Sequence, residues 1–78
     1  MQVQLITPEK ILFEGAANYV QVCGSQGEFG VLPNHAPFIS TLKEGIIAIE
    51  LPSGERQEFP VTSGVAEVQA EKVTILVE

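Results

Sequence analysis

Apolar and polar residues alternate in short runs along most of this chain, and turn-forming residues punctuate the runs at close intervals. That rhythm predicts strands rather than helices. Val3 to Thr7 reads as a first strand, ended by Thr7-Pro8-Glu9-Lys10, because Pro8 lacks the N–H that a central ladder requires. Ile11 to Glu14 resumes extended structure, and Gly15 reads as a bend. Ala17 to Cys23 follows, with Val20 and Val22 on one face and Tyr19, Gln21 and Cys23 on the other. Phe38 to Leu42 makes a further short strand. Gly45 to Leu51 and Arg56 to Val61 flank Pro52-Ser53-Gly54-Glu55, the plainest hairpin in the sequence. Across it Ile47, Ile49, Leu51, Phe59 and Val61 share an inner face, while Glu50, Arg56 and Glu58 point to water. Val65 to Ala70 and Lys72 to Val77 form a last pair around a turn near Glu71. Thr7-Pro8-Glu9 can cap one helical turn, but Phe13-Glu14-Gly15 gives it nowhere to continue. The prediction is a single all-β domain over residues 1–78, a sandwich or barrel.

One stretch breaks the rhythm. Residues 24–37, Gly24-Ser25-Gln26-Gly27-Glu28-Phe29-Gly30-Val31-Leu32-Pro33-Asn34-His35-Ala36-Pro37, carry glycines at 24, 27 and 30 and prolines at 33 and 37. They read as a long loop, and long loops in compact domains tend to carry function. Phe29, Val31 and Leu32 are placed to anchor it against the body.

Composition narrows the field. The chain has 78 residues, 45% of them hydrophobic, which suits a globular fold but leaves little core to offset the entropy of ordering. A fold this small gains from a partner that covers apolar surface, which suggests a subunit. Ten glutamates, no aspartate and four basic residues give a formal charge of −6. The acidic surface disfavours nucleic acid and anionic lipid and favours basic protein surfaces. A lone cysteine, Cys23, cannot form an internal disulfide and fits a reducing compartment. Met1 to Ile6 lacks the basic segment and long apolar run of a secretion signal. Apolar runs such as Ile46 to Ile49 fall far short of the roughly twenty residues of a membrane helix. The expectation is a soluble chain whose membrane association runs through another protein.

Catalytic candidates are few. Cys23 and His35 are the only neutral-pH nucleophile and base, and a buried packing role for the thiol and a loop-fixing role for the imidazole compete with any catalytic one. One His, one Cys and scattered glutamates offer no metal-ligand spacing. The three glycines lack the Lys-Ser/Thr and the helix of a phosphate cradle, and Glu28 sets a negative charge among them. No catalytic residue, metal or cofactor is expected.

The segment from Gly24 to Pro37 closely resembles the signature of ATP synthase epsilon subunits, called delta in mitochondria. Thr7-Pro8-Glu9-Lys10-Ile11-Leu12-Phe13-Glu14-Gly15, Leu42-Lys43-Glu44-Gly45 with Ile46 to Ile49, Ser63-Gly64-Val65-Ala66-Glu67-Val68 and Lys72-Val73-Thr74-Ile75-Leu76 resemble the family in the same order. The resemblance implies a flattened β-sandwich of about ten short, mostly antiparallel strands. It also implies a rotor subunit that joins the gamma subunit to the ring of membrane c subunits at the cytoplasmic face of the membrane. Gly27, Glu28, Phe29, Gly30 and Val31 match the contact loop for the c-ring, with Glu28 toward basic ring residues. His35, Ala36, Pro37, Phe38, Ser40 and Leu42 match the region against gamma, and for Phe38 and Ile39 burial in the sandwich core competes with a gamma contact. Position 34 is Asn where the family usually has Gly, and Asn tolerates a left-handed backbone, so the turn is expected to survive. Many members continue after Val77-Glu78 into a C-terminal helical hairpin that inhibits ATP hydrolysis and in some binds ATP; neither property is carried over.

Two other classes compete. A free-standing β-sandwich binding module would capture a peptide along a strand edge or, with more exposed aromatics than one Tyr and four Phe supply, a sugar. A small Cys–His hydrolase would lose its activity on alkylation of Cys23.

Overall fold

Turn chemistry divides the chain where alternation stops. A computed structural model describes residues 1–78 and contains nine strands and no helix, where the family resemblance implied about ten strands. β1 (Gln2–Ile6) ends at Thr7, whose hydroxyl accepts from the Glu9 and Lys10 amides at 3.2 and 3.0 Å. The chain turns back there into β2 (Ile11–Ala16), which pairs antiparallel with β1. β6 (Gly45–Glu50) and β7 (Arg56–Val61) form the expected hairpin, with Gly54 at φ +93° in its turn. Pro60 is tolerated inside β7 because β7 is an edge strand, paired only with β6. β8 (Gly64–Val68) and β9 (Lys72–Val77) pair around the turn at Glu71. β1 lies parallel to β9, the one parallel pairing in the sheet.

The main correction falls on the segment read as a long loop. Gly27–Val31 is a strand, β4, paired antiparallel with β3 (Tyr19–Gly24) through a two-residue turn at Ser25-Gln26. Only residues 32–37 remain irregular before β5 (Phe38–Leu42). Glycine weakens a strand and reads locally as a break, yet cross-strand pairing holds this one in place.

The strands run β2-β1-β9-β8-β5-β3-β6-β7, with β4 on the other edge of β3. β3 joins two layers. Its Tyr19–Gln21 half pairs with β6, and Gly24 pairs with Leu42 of β5. A side chain at Gly24 would meet the Gly27 carbonyl and the Phe29 ring, both 2.8 Å from a Cβ there, so the corner requires glycine. Val3, Leu5, Val68, Val73 and Ile75 of one layer and Val20, Val22, Ile47 and Ile49 of the other belong to one buried cluster. Ile47, Ile49 and Val61 are buried as the hairpin pattern required, with Leu51 and Phe59 packed partly against them, and Glu50, Arg56 and Glu58 are exposed. Arg56 and Glu58 form a solvent-facing ion pair at 3.1 Å, worth little to stability.

Candidate functional site: an interaction surface on the β3–β4 hairpin and β5

The two segments singled out in the sequence meet in one region. At the hairpin tip the Ser25 amide donates to the Thr41 carbonyl at 2.9 Å, and the two hydroxyls lie 2.7 Å apart. The Lys43 amide donates to the Cys23 carbonyl at 3.0 Å. Phe29 of β4 packs edge-on against Phe38 of β5, ring centroids 5.0 Å apart. His35 lies against the same Phe38 at 5.1 Å, and its Nδ1 is 2.8 Å from the Ala36 carbonyl. Asn34 adopts the left-handed backbone anticipated for it, φ +67°, and its amide donates to the Ala70 carbonyl at 2.8 Å.

Strand parity decides which side chains are available. Glu28 is exposed, Gly27, Phe29 and Gly30 are half-buried, and Val31 is fully buried. In β5, Phe38 and Ser40 are half-buried and Leu42 is buried, whereas Ile39 between them is 69% exposed. Val31 and Leu42 therefore give their side chains to the core, and Ile39, for which core burial and a gamma contact competed, lies on the surface. Alternation within Phe38–Leu42 carries that signal once Leu42 is fixed as a core position. Ile39 borders an open groove of about 390 Å³ lined by Pro37, Phe38, Ile39, Glu67, Val68 and Gln69. Ala36 and Pro37 are exposed at its approach.

The outward face of the hairpin carries a feature missed in the sequence. Gly30 stands opposite Gln21, and the ring of Tyr19 lies over it; a Cβ at position 30 would collide with that ring and its hydroxyl. Tyr19 donates its hydroxyl proton to the Gln21 amide oxygen, and Gln21 Nε2 reaches the Glu28 carboxylate at 3.4 Å. Gly27, by contrast, has open space around it but holds φ +134°. The two glycines are needed for different reasons, one for backbone conformation and one for room. Gly30→Ala is expected to lift Tyr19 off the strand and cost about 1–3 kcal/mol. Tyr19 is the sole tyrosine in a chain without tryptophan, so near-ultraviolet circular dichroism reports the displacement directly.

Cys23 is buried, and a Cβ at Gly45 would lie 2.8 Å from its own Cβ. Burial pushes the thiol up, with Glu28 adding to the rise, while a backbone hydrogen bond and Lys43 oppose it. A thiol held protonated and enclosed is a packing group rather than a nucleophile. His35 is engaged with Ala36 and Phe38.

Comparison with known proteins decides the family. Residues 1–78 match the family described as ATP synthase, Delta/Epsilon chain, beta-sandwich domain. The chain belongs to this ATP synthase delta/epsilon family. Among its relatives, the ATP synthase epsilon chain of a Nitratiruptor species is 41% identical over 78 residues, covering 100% of this chain and 60% of the relative. The ATP synthase epsilon chain of Bradyrhizobium sp. (strain ORS 278) is 43% identical over 74 residues, 95% of this chain and 54% of its own length. This delta/epsilon-type sandwich thus spans between about half and three-fifths of the length of these relatives. Its fold is also that of a chain in the Euglena gracilis mitochondrial ATP synthase (OSCP/F1/c-ring), with TM-score 0.90 at 22% identity over 96% of this chain and 48% of that one. A chain of the Tetrahymena thermophila mitochondrial ATP synthase central stalk and c-ring gives TM-score 0.79 at 19% identity, over 97% of this chain and 61% of that one. At such identities the likeness is one of fold.

Proposed function

We propose that this delta/epsilon sandwich is a non-catalytic part of the central stalk of a rotary ATP synthase. It binds the gamma subunit and rests on the c-ring at the cytoplasmic face of the membrane, so that ion-driven rotation of the ring is passed to gamma and on to ATP synthesis. The observation that carries this reading is the family match over every residue from 1 to 78. Two supports are physical. The charge of −6 suits a basic protein partner, and the site is a hairpin hydrogen-bonded to β5, an arrangement that can pass on force without doing chemistry.

Within this reading the c-ring contact is made by the hairpin at Gly27, Glu28, Phe29 and Gly30. The gamma contact is made by the surface from His35 through Ala36, Pro37 and Phe38 to Ser40, with Ile39 as its exposed apolar member. The experiment is co-purification. The tagged chain should retain the cognate gamma subunit and c-ring in one complex, and capture of neither by the folded chain would overturn the reading. Glu28→Lys should weaken retention on the ring roughly three- to tenfold at low salt and progressively less as salt rises, because the lost attraction is screened. Thermal unfolding of the isolated chain should be unchanged. Equal retention across the salt series would remove Glu28 from the contact.

A further inference from the structure

We infer that Gln21 and Tyr19 are positioning residues for Glu28, an inference that rests on the c-ring contact proposed above. Glu28 projects from an edge strand, since β4 pairs with β3 alone. An exposed carboxylate there has several rotamers of similar energy, and holding one of them costs side-chain entropy. The hairpin register supplies a brace. Glu28 faces Cys23 and Gly30 faces Gln21, so Gln21 is the diagonal neighbour of Glu28 on the same face. Because position 30 has no side chain, the Tyr19 ring occupies that space, and its hydroxyl donates to the Gln21 amide oxygen. This bond holds the amide in place beside the ring, and the acceptor-only carboxylate of Glu28 selects the orientation that turns the NH₂ group toward it. Its oxygen is engaged by Tyr19, and the NH₂ group is turned toward Glu28, where Nε2 lies 3.4 Å from the carboxylate. A Gln amide turned the other way would present its oxygen to the carboxylate and repel it. Gly30, Tyr19, Gln21 and Glu28 thus form one chain of contacts across two strands, ending in the charge that meets the ring.

The contact to Glu28 is long and solvent-exposed, so its effect is on orientation and is modest in size. Retention of the γ-bound chain on the detergent-solubilised c-ring, compared by titration for single and double variants, provides the test. Glu28→Gln should weaken binding by up to about fivefold, the range of an exposed ion pair. Gln21→Met, which keeps the length of the side chain and removes both amide functions, should produce a part of that loss. So should Tyr19→Phe, which keeps the ring over Gly30 and removes only the hydroxyl. In the Glu28→Gln background neither substitution should weaken binding further, because each acts through the carboxylate. That non-additivity is something a purely structural role would not produce, and unchanged unfolding temperatures would accompany it. Losses that simply add, or full retention by both Gln21→Met and Tyr19→Phe where Glu28→Gln is weakened, would overturn the positioning role while leaving the ring contact intact. Full retention by Glu28→Gln would instead remove the ring contact itself, and the positioning role with it.

Discussion

Ile75→Ala is expected to lower the unfolding free energy by about 2–5 kcal/mol, a large share of the roughly 4–12 kcal/mol that a 78-residue domain commands. Ile75 is fully buried in β9, where it sits between Leu5 of β1 and Ala66 of β8. Both neighbours are held by ladders on either side, so the strands cannot close over the space that truncation leaves. The cost then includes a cavity as well as lost burial. Urea unfolding should show the midpoint falling sharply with little change in slope. Ile46→Ala, at a position 51% exposed on the outside of β6, should stay within about 0.5 kcal/mol of the parent. Similar losses at the two positions would mean that the layers do not pack as described.

The second large effect is expected at Gly64. A Cβ there would run into the Leu76 carbonyl and lie 3.1 Å from the Val77 Cα. These obstacles are backbone atoms of the paired strand, so no rotamer change relieves them. Gly64 also stands beside Leu42 of β5, which places the strain where β8 is held from both sides. Gly64→Val should therefore cost about 3 kcal/mol, the upper part of the range for overpacked sites. Backbone amides at the β8–β9 end should lose hydrogen-exchange protection before those of β6 and β7. Protection lost evenly across all strands, or not at all, would contradict the close approach.

Much of the architecture was legible because alternation and turn residues act locally. The β6–β7 hairpin followed from Pro52-Ser53-Gly54-Glu55 between two alternating runs, and the end of β1 followed from Thr7-Pro8. Asn34 in a left-handed conformation followed from the family resemblance, which implies Gly there, together with the tolerance of Asn for that region. β4 was not legible. Gly27 and Gly30 lower strand propensity, and the features that make the segment a strand are the opposing β3 backbone and a tyrosine eleven positions before Gly30 in sequence. The parallel pairing of β1 with β9 joins the two ends of the chain, and no local signal specifies it.

The residues that the motif marked for contact divide between core and surface. A family motif preserves core and surface positions alike, and of the residues it marked Val31 and Leu42 belong to the core. The outward direction of Ile39 and the Tyr19–Gln21 pair emerged only when the register was known, since both depend on which face a residue occupies.

The role proposed for this sandwich depends above all on its docking to gamma. Isothermal titration of the folded chain into purified cognate gamma subunit tests that most directly. Saturable binding at one chain per gamma is expected, weakened when the exposed apolar side chain at position 39 is replaced by Ile39→Glu. A folded chain that releases no heat and forms no complex with folded gamma would contradict it.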